Sequence, residues 1–198
     1  LPSPGQSAHR YDHWRAIAQA LGIELPALTR NVGGKLPRRG PVVIHSGAAQ
    51  PVRVWPLERF LGAAQRLRAG GRSVRILCDA TQLDWWRGHG EKDAGCAEDI
   101  GQLLAALNGA SAFIGNDSGP GHLAAIAGVP TFTIFGPQLP EWFAPIHPAA
   151  EWVEGSECPY KPCFDSCRFE QPNCIRELGL EKVWARLLPF VERHCVRA

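Results

Sequence analysis

Short apolar runs of strand length alternate along this chain with helix-length amphipathic segments, and no other feature constrains the fold as tightly. Val42-Val43-Ile44, Val74-Arg75-Ile76-Leu77, Ala112-Phe113-Ile114 and Thr131-Phe132-Thr133-Ile134-Phe135 read as strands. Runs of this length, rich in β-branched and aromatic residues and bounded by Gly and Pro, suit strands buried on both faces. The spacing predicts helices over Tyr11 to Leu21 (Trp14, Ile17, Ala18, Leu21), Leu57 to Arg68, Thr81 to Gly88 and Asp99 to Leu107. It predicts two more, from Ser118 to Ala127 and from Leu180 to Val191. In the Asp99 helix, Ile100, Leu103, Leu104 and Leu107 form the expected buried stripe. Strand–helix–strand repetition needs crossover connections, and an α/β fold with a parallel sheet supplies them. Residues 138–178 carry no such pattern and read as a long irregular region.

Composition agrees with one sizeable globular unit. The chain has 198 residues, 45% hydrophobic and 20% charged, with a net charge of +2. These values exclude wholesale disorder, and no apolar run approaches the ~20 residues that span a bilayer. The basic residues, 17 Arg and 4 Lys, form no long block, so nucleic-acid binding has little support. The start, Leu1-Pro2-Ser3-Pro4-Gly5, has no initiator Met and no signal-peptide core, and reads as a fragment or a processed start. Nothing repeats internally and no linker divides the chain. The expected organisation is an entering helix and loop over 1–40 and one α/β domain over 41–198.

In an open parallel sheet, ligands bind beyond the carboxyl ends of the strands. Three strand-exit loops carry chemistry here: His45-Ser46-Gly47-Ala48-Ala49, Cys78-Asp79-Ala80-Thr81, and Gly115 through His122. In the third, Ser118 is placed to N-cap a helix and Pro120 suits its first turn. Gly119 and Gly121 let a ligand approach the backbone, and the N–H groups of a helix start make an anion site suited to phosphate. His122, four residues after Ser118, shares its helix face and could donate to the same phosphate. The competing reading is that Asn116-Asp117-Ser118-Gly119 only caps a helix. Arg53 could pair with a diphosphate or be a solvated surface charge. Neither a Walker-type lysine motif nor the dinucleotide glycine fingerprint occurs, which weakens ATPase and dehydrogenase readings.

Two stretches are similar to the motifs of a known family. His45-Ser46-Gly47-Ala48 with Arg53-Val54-Trp55-Pro56-Leu57-Glu58-Arg59-Phe60 resembles the first. Phe113-Ile114-Gly115-Asn116-Asp117-Ser118-Gly119-Pro120-Gly121-His122-Leu123-Ala124-Ala125, with Gly128-Val129-Pro130-Thr131 and Phe135-Gly136-Pro137, resembles the second. Both are similar, in the same order and spacing, to the C-terminal half of the ADP-heptose:lipopolysaccharide heptosyltransferases, glycosyltransferase family 9. The resemblance covers roughly residues 40–178. It implies the Rossmann-like C-terminal domain of a GT-B fold, holding a nucleotide-sugar donor such as ADP-heptose, with no cofactor required.

Residue by residue, the resemblance implies that Arg53 replaces the basic residue, commonly Lys, that contacts the donor diphosphate. It implies that Asp117 faces donor sugar and phosphates, and that Ser118 and Gly119 offer hydroxyl and backbone N–H groups to the diphosphate. His122 falls at the motif His, and Ser46 lines the same cleft. The catalytic set is then Arg53, Asp117 and His122. An acidic residue after the second strand should bind the nucleoside, and Asp79 and Asp84 both qualify. Gly121 stands where a larger residue such as Met is usual, which bears on donor selectivity. The resemblance also implies inverting transfer to a lipopolysaccharide-type or other glycan acceptor, lipid-linked, at the cytoplasmic face of the inner membrane. The general base is an Asp of an N-terminal domain, so this chain alone is expected to be inactive.

Seven cysteines are an odd number, in a pattern that favours a reducing cytoplasm over a disulfide scaffold. Cys158, Cys163, Cys167 and Cys174, with gaps of 4, 3 and 6 residues, could form a tetrahedral thiolate clip for Zn or Fe. Free thiols are the alternative. The surrounding Cys-Pro-Tyr-Lys-Pro-Cys stretch also resembles a Cys-bearing segment that follows the second motif in the family. Two rival functions belong to other classes. A non-catalytic nucleotide-sugar module would bind without transfer even beside an N-terminal domain. A Zn-clipped interaction domain would use residues 156–175 as its surface and lose its partner on chelation.

Overall fold

The computed structural model describes residues 8–25 and 38–196. Part of the polar loop expected before the first strand, residues 26–37, lies outside them. Five strands, β1 (Val42–His45), β2 (Val74–Leu77), β3 (Ala112–Asn116), β4 (Thr131–Phe135) and β5 (Ala150–Glu154), form one sheet in the order β2-β1-β3-β4-β5. Every pairing is parallel, with Ile44 opposite Ile76 on one side and Ile114 on the other. The parallel α/β sheet expected from the alternation, and the Rossmann-like architecture that the resemblance implies, are the ones observed.

The helices are α1 (Arg10–Ala20), α2 (Leu57–Ala69), α3 (Leu83–Gly88), α4 (Ile100–Leu107), α5 (Gly119–Ile126), α6 (Pro140–Phe143), α7 (Asn173–Arg176) and α8 (Leu180–His194). Side chains alternate across the sheet, so successive strand residues serve opposite layers. Val42, Ile44, Ala112 and Ile114 pack with Phe60 and Leu67 of α2 and with Val183, Leu187 and Phe190 of α8. Val43, Leu77 and Phe113 pack with Leu103 and Leu107 of α4 and Ala124 of α5. Each large side chain buried this way contributes about 1.5–3 kcal/mol, which makes the sheet a stiff platform for whatever its loops carry.

Three local expectations change. The region 138–178 is not wholly irregular: β5 runs through it as an edge strand, with only Val153 of its side chains buried. Its partner β4 is buried throughout, and that burial, with main-chain pairing on one side, is enough to order a polar sequence. In α4, Leu103 and Leu107 are buried, but Leu104 is half exposed and Ile100 is 64% exposed. On α1 only Ala18 is buried, leaving Trp14, Ile17 and Leu21 open to solvent.

The order β2-β1-β3 means that the chain leaves β1 toward one edge and β3 toward the other. A crevice therefore opens beyond the carboxyl ends of β1 and β3.

Candidate functional site

Asn116, the last residue of β3 and 1% exposed, organises that crevice. Its Nδ2 donates to the carbonyl of Ser46 (2.8 Å) and, more weakly, to that of Gly47 (3.4 Å). Its Oδ1 accepts from the Trp55 backbone N–H at 3.0 Å. One side chain thus ties the β1 exit and the segment carrying Arg53 to the end of β3. Trp55 is fully buried, edge-on to Phe60 at 4.9 Å, and its indole donates to the Leu178 carbonyl at 2.6 Å. Arg53, at the end of a short 3-10 turn (Pro51–Arg53), is anchored two residues away by this packing.

The Arg53 guanidinium is not a solvated surface charge. Its Nη1 lies 3.2 Å from Asp117 Oδ2, while Nε and Nη2 donate as a fork to both oxygens of Asp165, each at 2.7 Å. The Asp165 hydrogen bonds hold the Arg53 pKa above its ordinary value. Asp117 is pushed up to about 6, chiefly by burial, with Arg53 opposing and Asp165 adding to the rise. Asp165, paired more openly, is lowered by its hydrogen bond to Arg53.

Gly47, Arg53, Asp79, Asp117, Ser118 and Gly119 line one cavity of about 460 Å³. The α5 N-terminus opens into it, and the first N–H groups of a helix have no partners within the helix. Ser118 sits at the N-cap position with extended backbone, but its hydroxyl donates to the Asn116 carbonyl at 3.2 Å and caps nothing. Asp79 lines the cavity, whereas Asp84 is solvent-exposed and outside it. A Cβ on Gly47 would lie 2.1 Å from an Asp79 carboxylate oxygen, so glycine there makes room for that carboxylate. Ile100, the exposed apolar residue of α4, also lines the cavity.

Two residues expected at the site lie elsewhere. Ser46 is fully buried: its hydroxyl donates to Gln82 Oε1 (2.8 Å) and accepts from the Trp86 indole (2.9 Å). It supports the loop from below and does not line the cleft. His122 lines a neighbouring groove of about 680 Å³ with Arg10, Trp14, Ile17, Trp142 and Phe143. Burial, and then His9, hold its imidazole below the usual pKa. His45, stacked on Phe113 and accepting from the Gly47 N–H at Nδ1, is likewise lowered by burial. The sequence reading assigned no role to Asn116 or Asp165.

The four clustered thiols all line a separate cavity of about 190 Å³. Among the described residues, no three His, Cys, Asp or Glu side chains are placed to hold a metal ion. None of the seven cysteines, all among the described residues, is in a disulfide. Burial pushes Cys78, which lines the same cavity as Arg53, up to about 11.

The family model of glycosyltransferase family 9 (heptosyltransferase) matches residues 13–172. The chain belongs to glycosyltransferase family 9. It is 27% identical over 207 residues to lipopolysaccharide heptosyltransferase 1 of Pseudomonas aeruginosa, covering 90% of this chain and 58% of that one. Its fold matches E. coli heptosyltransferase WaaC, solved with ADP, at a TM-score of 0.65 and 16% identity, over 94% of this chain and 58% of that one. It matches the iron-containing dodecameric glycosyltransferase TibC from enterotoxigenic E. coli at a TM-score of 0.62 and 19% identity, over 86% and 52%. The family 9 chain described here thus spans little more than half the length of these relatives.

Proposed function

We propose that this chain is the donor-binding half of an inverting glycosyltransferase that moves a sugar, a heptose, from a nucleotide diphosphate to a lipopolysaccharide-type acceptor. One observation carries the reading: Arg53, Asp117 and the N-terminus of α5 meet at the β1/β3 crevice, on a platform fixed by Asn116. That is where an open α/β sheet takes a nucleotide, and the sequence similarity to the lipopolysaccharide heptosyltransferase of P. aeruginosa supports the reaction class.

The chemistry follows from what departs. As the bond from the anomeric carbon to the diphosphate breaks, negative charge collects on the leaving phosphate oxygens. A guanidinium and helix N–H groups already aimed at that point stabilise the charge without reorganising. Arg53 and the Ser118–Gly119 backbone supply them. We assign Asp117 to the sugar, and Asp79, which lines the cavity where Asp84 does not, to accept from a ribose hydroxyl. The acceptor hydroxyl attacks from the opposite face, inverting the anomeric centre, and gives its proton to a general base. The family resemblance assigns that base to an N-terminal domain, so we propose that transfer needs both halves. We further propose a peripheral position at the inner-membrane cytoplasmic face. No helix among the described residues is long and apolar enough to cross a membrane.

Calorimetric titration with ADP and UDP tests the reading. ADP is expected to bind, and Arg53→Ala to weaken it roughly 10- to 100-fold, the worth of a hydrogen bond to a charged group. Absence of nucleotide binding would reject the donor-site assignment. Binding without transfer, in the presence of the N-terminal half and acceptor, would favour a non-catalytic module.

A further inference from the structure

Asp165 belongs to neither family motif; it lies on the Cys-bearing loop, 112 residues from the arginine it grips. Its carboxylate takes the Nε and Nη2 edge of Arg53, and Gln138 Nε2 donates to it from the other side at 3.3 Å. The loop is firmly seated at its base. Ile175 of α7 is fully buried, and Gly155 is so close to the Cys174 carbonyl that a Cβ there would overlap it. The tip is held differently. Phe164 and Asp165 both adopt left-handed backbone (φ 47° and 69°), which non-glycine residues adopt only when something compensates. Phe164 stays 54% exposed, beside Trp142 and Arg10. The Asp165–Arg53 fork is thus the main polar tether of an otherwise lightly held tip.

We infer that Asp165 is a donor-site residue whose carboxylate occupies the guanidinium edge taken by the donor diphosphate, so that donor binding displaces the loop tip. The inference rests on the donor-site reading above. Charge decides which group yields. One guanidinium already faces two carboxylates, and a diphosphate brings at least two further negative charges beside them. Asp117 is fixed between β3 and α5 and is 3% exposed, so it cannot swing away. Asp165, on a surface loop, can. The loop carboxylate therefore sets how strong an anion must be to claim Arg53.

Asp165→Asn tests this. Asparagine tolerates left-handed backbone as aspartate does, so the change removes charge and leaves the turn. Calorimetry should show ADP binding roughly 3- to 10-fold tighter than in the parent chain, the range expected when a partly exposed charged fork no longer competes. Asp165→Gly, also at ease in that backbone, should tighten ADP as well. In the parent chain, saturating ADP should speed maleimide labelling of Cys163 and Cys167, followed by peptide mass mapping. In Asp165→Asn, labelling should be fast before ADP is added. Equal or weaker ADP binding by Asp165→Asn, or protection of the two thiols by ADP, overturns the inference and leaves the donor site standing. No ADP binding by either protein rejects the donor site itself, and the inference with it.

Discussion

Burial pushes the Asp117 carboxyl up to about 6, against the pull of Arg53 and with help from Asp165. Its pKa is raised on folding, so the folded chain binds a proton more tightly than the unfolded one. Asp117 therefore costs no stability below pH 4, costs progressively more as pH rises from about 4 to about 6, and imposes its full penalty above that. A shift of this size corresponds to about 3 kcal/mol at most. Asp117→Asn is expected to raise the stability of the chain by about 1–3 kcal/mol at pH 8 and by little at pH 4. Urea denaturation at the two pH values checks it, and a gain that is the same at both would contradict it. Asp117 stood out in the sequence as part of a strand-exit loop, whereas the local chemistry of Arg53 left a solvated surface charge open and only the family resemblance of its stretch drew it to the site. Ser46 was expected to line the cleft, and it does not. Whether its hydroxyl faces the ligand or the core depends on Trp86, 40 residues downstream, which claims it from below. Asp165 was hidden for the same reason at greater range: no local pattern reveals an ion pair spanning 112 residues.

At the scale of elements, the three central strands, β1, β3 and β4, were readable because full burial demands continuous apolar runs, and the edge strand β2 because three of its four residues are apolar. β5 was not, since an edge strand buries one face at most and its polar residues look like loop. Its ordering depends on tertiary partners, including the ion pair of Glu151 with Arg193 of α8. The turn after β5 is equally dependent on context. Gly155→Ala would drive a Cβ into the Cys174 main-chain carbonyl, 1.5 Å away, and backbone cannot move aside as a flexible side chain can. The expected loss is about 3 kcal/mol, in the range of overpacked cores, read as a lower urea midpoint. Gly179→Ala, with nothing within 4 Å of the added methyl, is the matched control and should change stability by under about 1 kcal/mol. Equal losses in the two variants would mean that the approach of β5 to α7 is not what Gly155 provides.

Over the whole molecule, the alternating pattern was sufficient for the α/β class, and the motif order located the crevice. What neither could give was the balance of charge around it. The chain carries a net charge of +2, yet Asp79, Glu98, Asp99 and Asp117 line the cavity with Arg53 as the one guanidinium among its described lining residues. The overall field and the local field therefore point in opposite directions. An approaching dianionic nucleotide meets repulsion at the mouth and attraction only once it reaches the guanidinium and the helix end. Encounter should then be slow in dilute buffer and faster as ions screen the mouth; the screening length is about 10 Å at 0.1 M salt. Stopped-flow association of ADP is expected to accelerate between about 20 and 200 mM salt, whereas a site steered by positive charge would slow. The same lining would give this crevice a kinetic preference for nucleotides that arrive with their phosphate charge already partly neutralised.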